Sequence, residues 1–175
     1  AEPDVGAATW CIGTAATTGI VSVANSLVGS VNSDRIGANG LALTNGNYVM
    51  LSPDWDGGLS NVGAATWCNG TGPTSAVVSA ANSLVGSSND DYVGIAGIAL
   101  SDGNYVVLNS EWDHVDLGLT NSGAATWGNG TNGIVAVVSH DNSLVGLADY
   151  TSAFKAYEEP VNGHFIVPFP GENGG

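Results

Sequence analysis

The side chains that could do chemistry in this 175-residue sequence are five tryptophans, two cysteines, three histidines and a few clustered carboxylates. Trp55 and Trp112 each stand between acids, in Asp54-Trp55-Asp56 and Glu111-Trp112-Asp113. A flat apolar ring beside carboxylates suits the face and hydroxyls of a sugar, so both are candidate ligand-binding residues, with carbohydrate as the candidate ligand. Asp54, Asp56, Asp90 and Asp91 supply hard oxygen donors and are candidate calcium ligands, although neither loop has the spacing of a helix-loop-helix calcium site. Cys11 and Cys68 both follow the Trp of a repeated Gly-Ala-Ala-Thr-Trp block and form a candidate disulfide. Two cysteines so placed do not make a zinc site.

Other constellations point away from catalysis. His114, His140 and His164 occupy unrepeated positions with no accompanying Ser or Cys motif, so they read as isolated surface or packing residues. Adjacent carboxylates at Asp90-Asp91 and Glu158-Glu159 face apart on an extended chain and do not pair for acid–base work. No glycine-rich phosphate loop opens a helix. The sequence is read as non-enzymatic. Asn69-Gly70-Thr71 and Asn129-Gly130-Thr131 make Asn69 and Asn129 candidate glycosylation sites, while the same residues make good turns.

The elements that must carry these residues come in copies. Gly-Ala-Ala-Thr-Trp starts at Gly6, Gly63 and Gly123, and Asn-Ser-Leu-Val-Gly follows at Asn25, Asn82 and Asn142. Asn45-Gly46-Asn47-Tyr48-Val49 recurs as Asp102 to Val106 and fades into Asn162 to Ile166. The offset is 57 residues from Gly6 to Gly63 and 60 from Gly63 to Gly123, the extra length lying in Asp113 to Leu117. Within one copy, 40–43 and 47–51 are short apolar runs joined through Asn45-Gly46, the strongest local hairpin signal. Residues 63–68 read as a third strand and 76–79 as a fourth, with 83–86 its continuation or a short fifth. No segment keeps a helical period.

The expected fold is therefore all-β, three repeats of about four antiparallel strands in a single domain, propeller- or prism-like. A half repeat spans 5–35, full repeats 36–92 and 93–149, and a divergent half repeat 150–175. Named a to d, the strands run c-d, a-b-c-d, a-b-c-d, a-b. The C-terminal hairpin is thus expected to complete the first sheet, either its own or a neighbouring molecule's.

Sixteen acidic residues against Arg35 and Lys155 give a formal net charge of −14. That surface repels phosphate backbones, so nucleic acid is excluded as a partner. No stretch is long and apolar enough for a spanning helix. Ala1 reads as a mature terminus left by removal of a signal peptide.

The run Gly-Ala-Ala-Thr-Trp-x-Asn-Gly-Thr, then Asn-Ser-Leu-Val-Gly-Ser, then Ala-Leu-Thr-Asn-Gly-Asn-Tyr-Val and Ser-Pro-Asp-Trp-Asp, resembles a repeat of very large secreted bacterial surface proteins. Those arrays accompany filamentous-haemagglutinin-like regions. The resemblance covers residues 5 to about 149. It implies an extracellular or cell-surface setting and a structural or adhesive role, and it brings no catalytic residues. Asp102 to Leu108 is also similar to a strand of bulb-type mannose lectins, which are three-sheet prisms, but the leading Gln of that motif is missing. The expected function is self-association into a surface or matrix assembly, in one form a head-to-tail filament made by hairpin exchange. A lectin-like module is the alternative.

Overall fold

A computed structural model describes residues 4–149, 155–159 and 163–172. Fourteen strands are present among them: β1 Ala7–Thr9, β2 Ser26–Val28, β3 Asn39–Ala42, β4 Tyr48–Ser52, β5 Ala64–Cys68, β6 Ala76–Val77, β7 Leu84–Val85, β8 Ala96–Ala99, β9 Tyr105–Asn109, β10 Ala124–Gly128, β11 Ala136–Val137, β12 Leu144–Val145, β13 Tyr157–Glu159 and β14 His164–Ile166. One 3-10 turn, Val115–Leu117, occupies the three-residue insertion of the third copy. The all-β repeat architecture is as the sequence implies.

Each full copy forms an antiparallel meander. β3–β4–β5–β7 and β8–β9–β10–β12 are hydrogen-bonded in those orders. The hairpins turn where Asn-Gly and Asp-Gly predict. Gly46 and Gly103 take φ of +91° and +92°, and Leu43 N donates to Asn47 O at 2.9 Å.

The strands at 76–77 and 136–137 differ from the expectation. They do not join the sheet of their own copy. β6 runs parallel to β2, with Leu27 opposite Ala76 and Val28 opposite Val77. β11 runs parallel to β7, with Leu84 opposite Ala136 and Val85 opposite Val137. The fourth strand of each meander is the later segment, β7 or β12. Each copy thus lends a two-residue strand to the sheet before it.

The sheets are stacked in chain order, and alternate residues of each strand serve the two sides. Tyr48, Met50, Ala64 and Cys68 of the second sheet pack with Ala8 and Leu27 of the first. On its other face Val49, Leu51 and Ala65 pack with Tyr105, Val107 and Ala124 of the third. The third sheet then turns Val106, Leu108 and Ala125 toward Ala156, Phe165 and Val167 of the C-terminal hairpin. Burial on both faces explains continuous apolar runs such as Val106-Val107-Leu108.

This order corrects one arm of the closure expectation. Among the described residues β13 and β14 pair only with each other and sit on the third sheet, while the first sheet is β1–β2–β6. The chain's own hairpin lies at the opposite end of the stack from β1. The described strands therefore form neither a propeller ring nor a closed prism.

Candidate functional site

The junction between consecutive copies is built twice within the chain from equivalent atoms. The indole of Trp10 donates to Gly70 O at 3.1 Å, and that of Trp67 donates to Gly130 O at 3.0 Å. Gly70 N donates to Asn47 Oδ1 and Gly130 N to Asn104 Oδ1, each at 3.0 Å. Glycine is required at both places. A Cβ on Gly70 would fall 1.7 Å from Gly46 O, and one on Gly130 would fall 1.7 Å from Gly103 O.

A buried carboxylate ties the same junction from another side. Asp34 Oδ2 accepts from Ser30 N and Val31 N at 2.6 and 2.9 Å, and its Oδ1 accepts from Asp56 N of the next copy at 3.0 Å. Asp91 repeats this with Ser87 N, Ser88 N and Asp113 N. Burial pushes the Asp91 carboxyl above its ordinary value, against the three backbone N–H groups that favour its charged form. In the third copy Glu172, from the C-terminal segment, takes this place and accepts from Leu147 N.

At the two ends of the stack the same positions are unfilled. Val21 is 57 % exposed, whereas its equivalents Val78 and Val138 are 2 % and 3 % exposed. Leu144 is 56 % exposed, whereas Leu27 and Leu84 are 1 % and 0 %. Trp127 is exposed where Trp10 and Trp67 are half-buried. These two surfaces are the candidate functional site.

The sequence-predicted site residues lie elsewhere. Trp55 and Trp112 are 5 % and 4 % exposed and belong to the inter-sheet cores, so they present no platform to a sugar. Two of the flanking acids engage backbone, Asp56 Oδ1 accepting from Asn61 N at 2.7 Å and Asp113 Oδ1 from Asn121 N at 2.8 Å, and Glu111 accepts from Ser110 Oγ at 2.9 Å. Of the four candidate calcium ligands, Asp54 pairs with Arg35 at 3.4 Å, and Asp90 accepts from Asn61 Nδ2 at 2.8 Å. Asp56 and Asp91 are engaged as above. Among the described residues no group of three or more His, Cys, Asp or Glu is arranged to hold a metal ion.

Cys11 and Cys68 are free thiols, which corrects the disulfide expectation for this chain. Their equivalent positions both face the preceding sheet. Cys68 is buried against the first sheet, and Cys11 is exposed. Burial raises the pKa of Cys68 above the ordinary thiol value. Asn69 Oδ1 accepts from Thr71 N and Oγ1, and Asn129 Oδ1 accepts from Thr131 N and Asn132 N, so both head tight turns.

Two histidines that read as isolated in the sequence meet in the fold. His114 and His140 stack with ring centroids 5.9 Å apart and planes inclined by 10°, and Trp112 lies 5.3 Å from His114. They border an open cavity of about 280 Å³ between the inserted turn and β11. No signal in the sequence pairs them, because neither position is repeated and the parallel crossing of β11 brings them together.

A family comparison also finds three successive copies of a repeat in the chain. The profile of the family described as "Repeat of unknown function (DUF5650)" matches residues 1–38, 42–95 and 99–152. No curated protein and no solved structure matches the chain. With three successive matches covering most of its length, the chain belongs to the DUF5650 repeat family.

Proposed function

We propose that this chain is a non-enzymatic, extracellular structural repeat protein that self-associates, the C-terminal hairpin of one molecule completing the first sheet of the next. The observation that carries this is a pair of edges, on β14 and β1, that pair with no further strand among the described residues. In both full copies the equivalent strands are joined, β4 to β5 and β9 to β10, whereas here they lie at opposite ends of the stack. An exposed edge whose partner has a known register invites strand addition. The extracellular setting and a matrix or adhesive role are supported by the resemblance to secreted bacterial surface repeats. Trp55 and Trp112, the platform residues of the lectin alternative, are buried, which favours the structural reading.

Like copies with a formal charge of −14 repel one another, so association strengthens as salt screens them. Sedimentation velocity and negative-stain electron microscopy over a range of concentrations, at low salt and at about 0.15 M salt, test the proposal. Mass that grows with concentration and with salt supports it. A monomer under every condition overturns it.

A further inference from the structure

We infer that residues 19–21 of one molecule are a strand that forms only on the β12 edge of a second copy, so that the end-to-end contact is a two-strand junction with fixed register and direction. This rests on the self-association proposed above and adds a second seam to the hairpin exchange. The occupant of each end is another copy of this chain, because the chain already contains that junction twice.

The register follows from equivalence. β6 lies on β2 and β11 lies on β7, each from the copy that follows the sheet it joins. Val78 N donates to Val28 O at 3.0 Å, and Val138 N to Val85 O at 2.9 Å. The remaining acceptor is β12, an edge strand with Leu144 exposed. The remaining donor is 19–21, which is in no strand, with Ile20 88 % exposed. Placed alike, Gly19 stands opposite Leu144, Ile20 opposite Val145, and Val21 N donates to Val145 O.

Three further unfilled positions fit the same placement. A Cβ on Gly13 would meet nothing within 4 Å, although its equivalents Gly70 and Gly130 are pressed against Gly46 O and Gly103 O. The hairpin glycine whose carbonyl no other described glycine approaches is Gly163. In the junction Gly163 O of one copy covers Gly13 of the next, and the exposed indole of Trp127 donates to Gly13 O. The strand register that places Tyr48 opposite Cys68 and Tyr105 opposite Gly128 places Phe165 opposite the next copy's Cys11. The contact joins two different surfaces and is not self-complementary, so it propagates head to tail rather than closing a symmetric pair.

The test uses variants whose changes fall in open space within one chain. Gly13→Ala and Val21→Pro block the head: the first fills the space for Gly163 O, and the second removes the N–H that donates to β12. Leu144→Asp blocks the tail. Each is expected to melt as the wild type does and to raise the concentration for half-assembly about tenfold or more, which corresponds to ~1.4 kcal/mol. Gly13→Ala mixed with Leu144→Asp should give dimers and nothing longer, while either alone stays monomeric. Cys11 labelling by a thiol reagent should be fast in Leu144→Asp and slow in assembled wild type. If the wild type assembles but Gly13→Ala and Val21→Pro assemble equally well, or the mixture yields no dimer, the two-strand register is overturned while self-association stands. A monomeric wild type overturns both.

Discussion

Gly128 lies directly beneath the ring of Tyr105, so close that a Cβ on Gly128 would fall 2.1 Å from Tyr105 Cζ. In the second copy the cross-strand pair is Tyr48 with Cys68, and Tyr48 stays half-buried. Tyr105 instead is fully buried. The third copy thus gives up the cysteine so that its tyrosine can enter the core. Gly128→Ala is expected to destabilise the fold by about 1–3 kcal/mol through overpacking. A Tyr105→Leu background should shrink that penalty, as a double-mutant cycle in urea would measure.

Tyr105 also sets a limit at high pH. Burial pushes its phenol from the ordinary 10.0 up to about 12. The folded pKa is raised, so the neutral ring contributes stability that is complete below about pH 10 and is lost as pH rises through about 12. Thermal melts across that window should fall more steeply for the wild type than for Tyr105→Phe. Equal slopes would show that Tyr105 is not the titrating group.

Asp91 links two copies, and Asp91→Asn places an amide where one carboxylate oxygen accepts two backbone N–H groups. The expected cost is about 1–3 kcal/mol near neutral pH. Because burial raises the folded pKa of Asp91, its titration adds stability that is present below the ordinary carboxylate value of 3.8 and lost as pH rises through the raised one. The difference between wild type and variant, measured by denaturant melts, should therefore narrow from acid to neutral pH.

Gly70→Ala should be far more damaging than the same change at Gly13. The first forces a methyl group to within 1.7 Å of Gly46 O, and the second meets nothing in its own chain. A loss of several degrees in melting temperature for Gly70→Ala, beside an unchanged Gly13→Ala, is the expected result.

In dilute monomer Cys11 should react at once with a disulfide reagent and Cys68 only on unfolding, since one thiol is exposed and the other buried. Counting released thiolate before and after adding denaturant would show one equivalent, then two. Two fast equivalents would contradict the packing of Cys68 against the first sheet.

The strands and hairpins were legible because local chemistry determines them. Asn45-Gly46 and Asp102-Gly103 accept the left-handed turn, and Val49 to Leu51 alternate as a pleated strand must. What escaped the sequence depends on tertiary partners. Ala76-Val77 has the same local character as a meander strand, and only the parallel partner β2 makes it something else. Flanking acids mark Trp55 and Trp112 as accessible, yet Asp56 and Asp113 each use an oxygen on a backbone N–H and let the neighbouring indole turn inward. The stacking of His114 on His140 arises from an insertion in one loop and a crossing strand from another, so no sequence period reports it.

The strand that each copy lends to its predecessor means that the unit that repeats is not the unit that folds. A single copy excised at any point would hold an indole without its acceptor, a loaned strand without its sheet and an edge without its guest. Two consecutive copies are the least that contain one whole junction. Cutting and rejoining the chain at points 57 residues apart, as Gly6 and Gly63 are, restores equivalent residues on both sides of the seam. A deletion or duplication between those two glycines therefore leaves each remaining junction with its own partners.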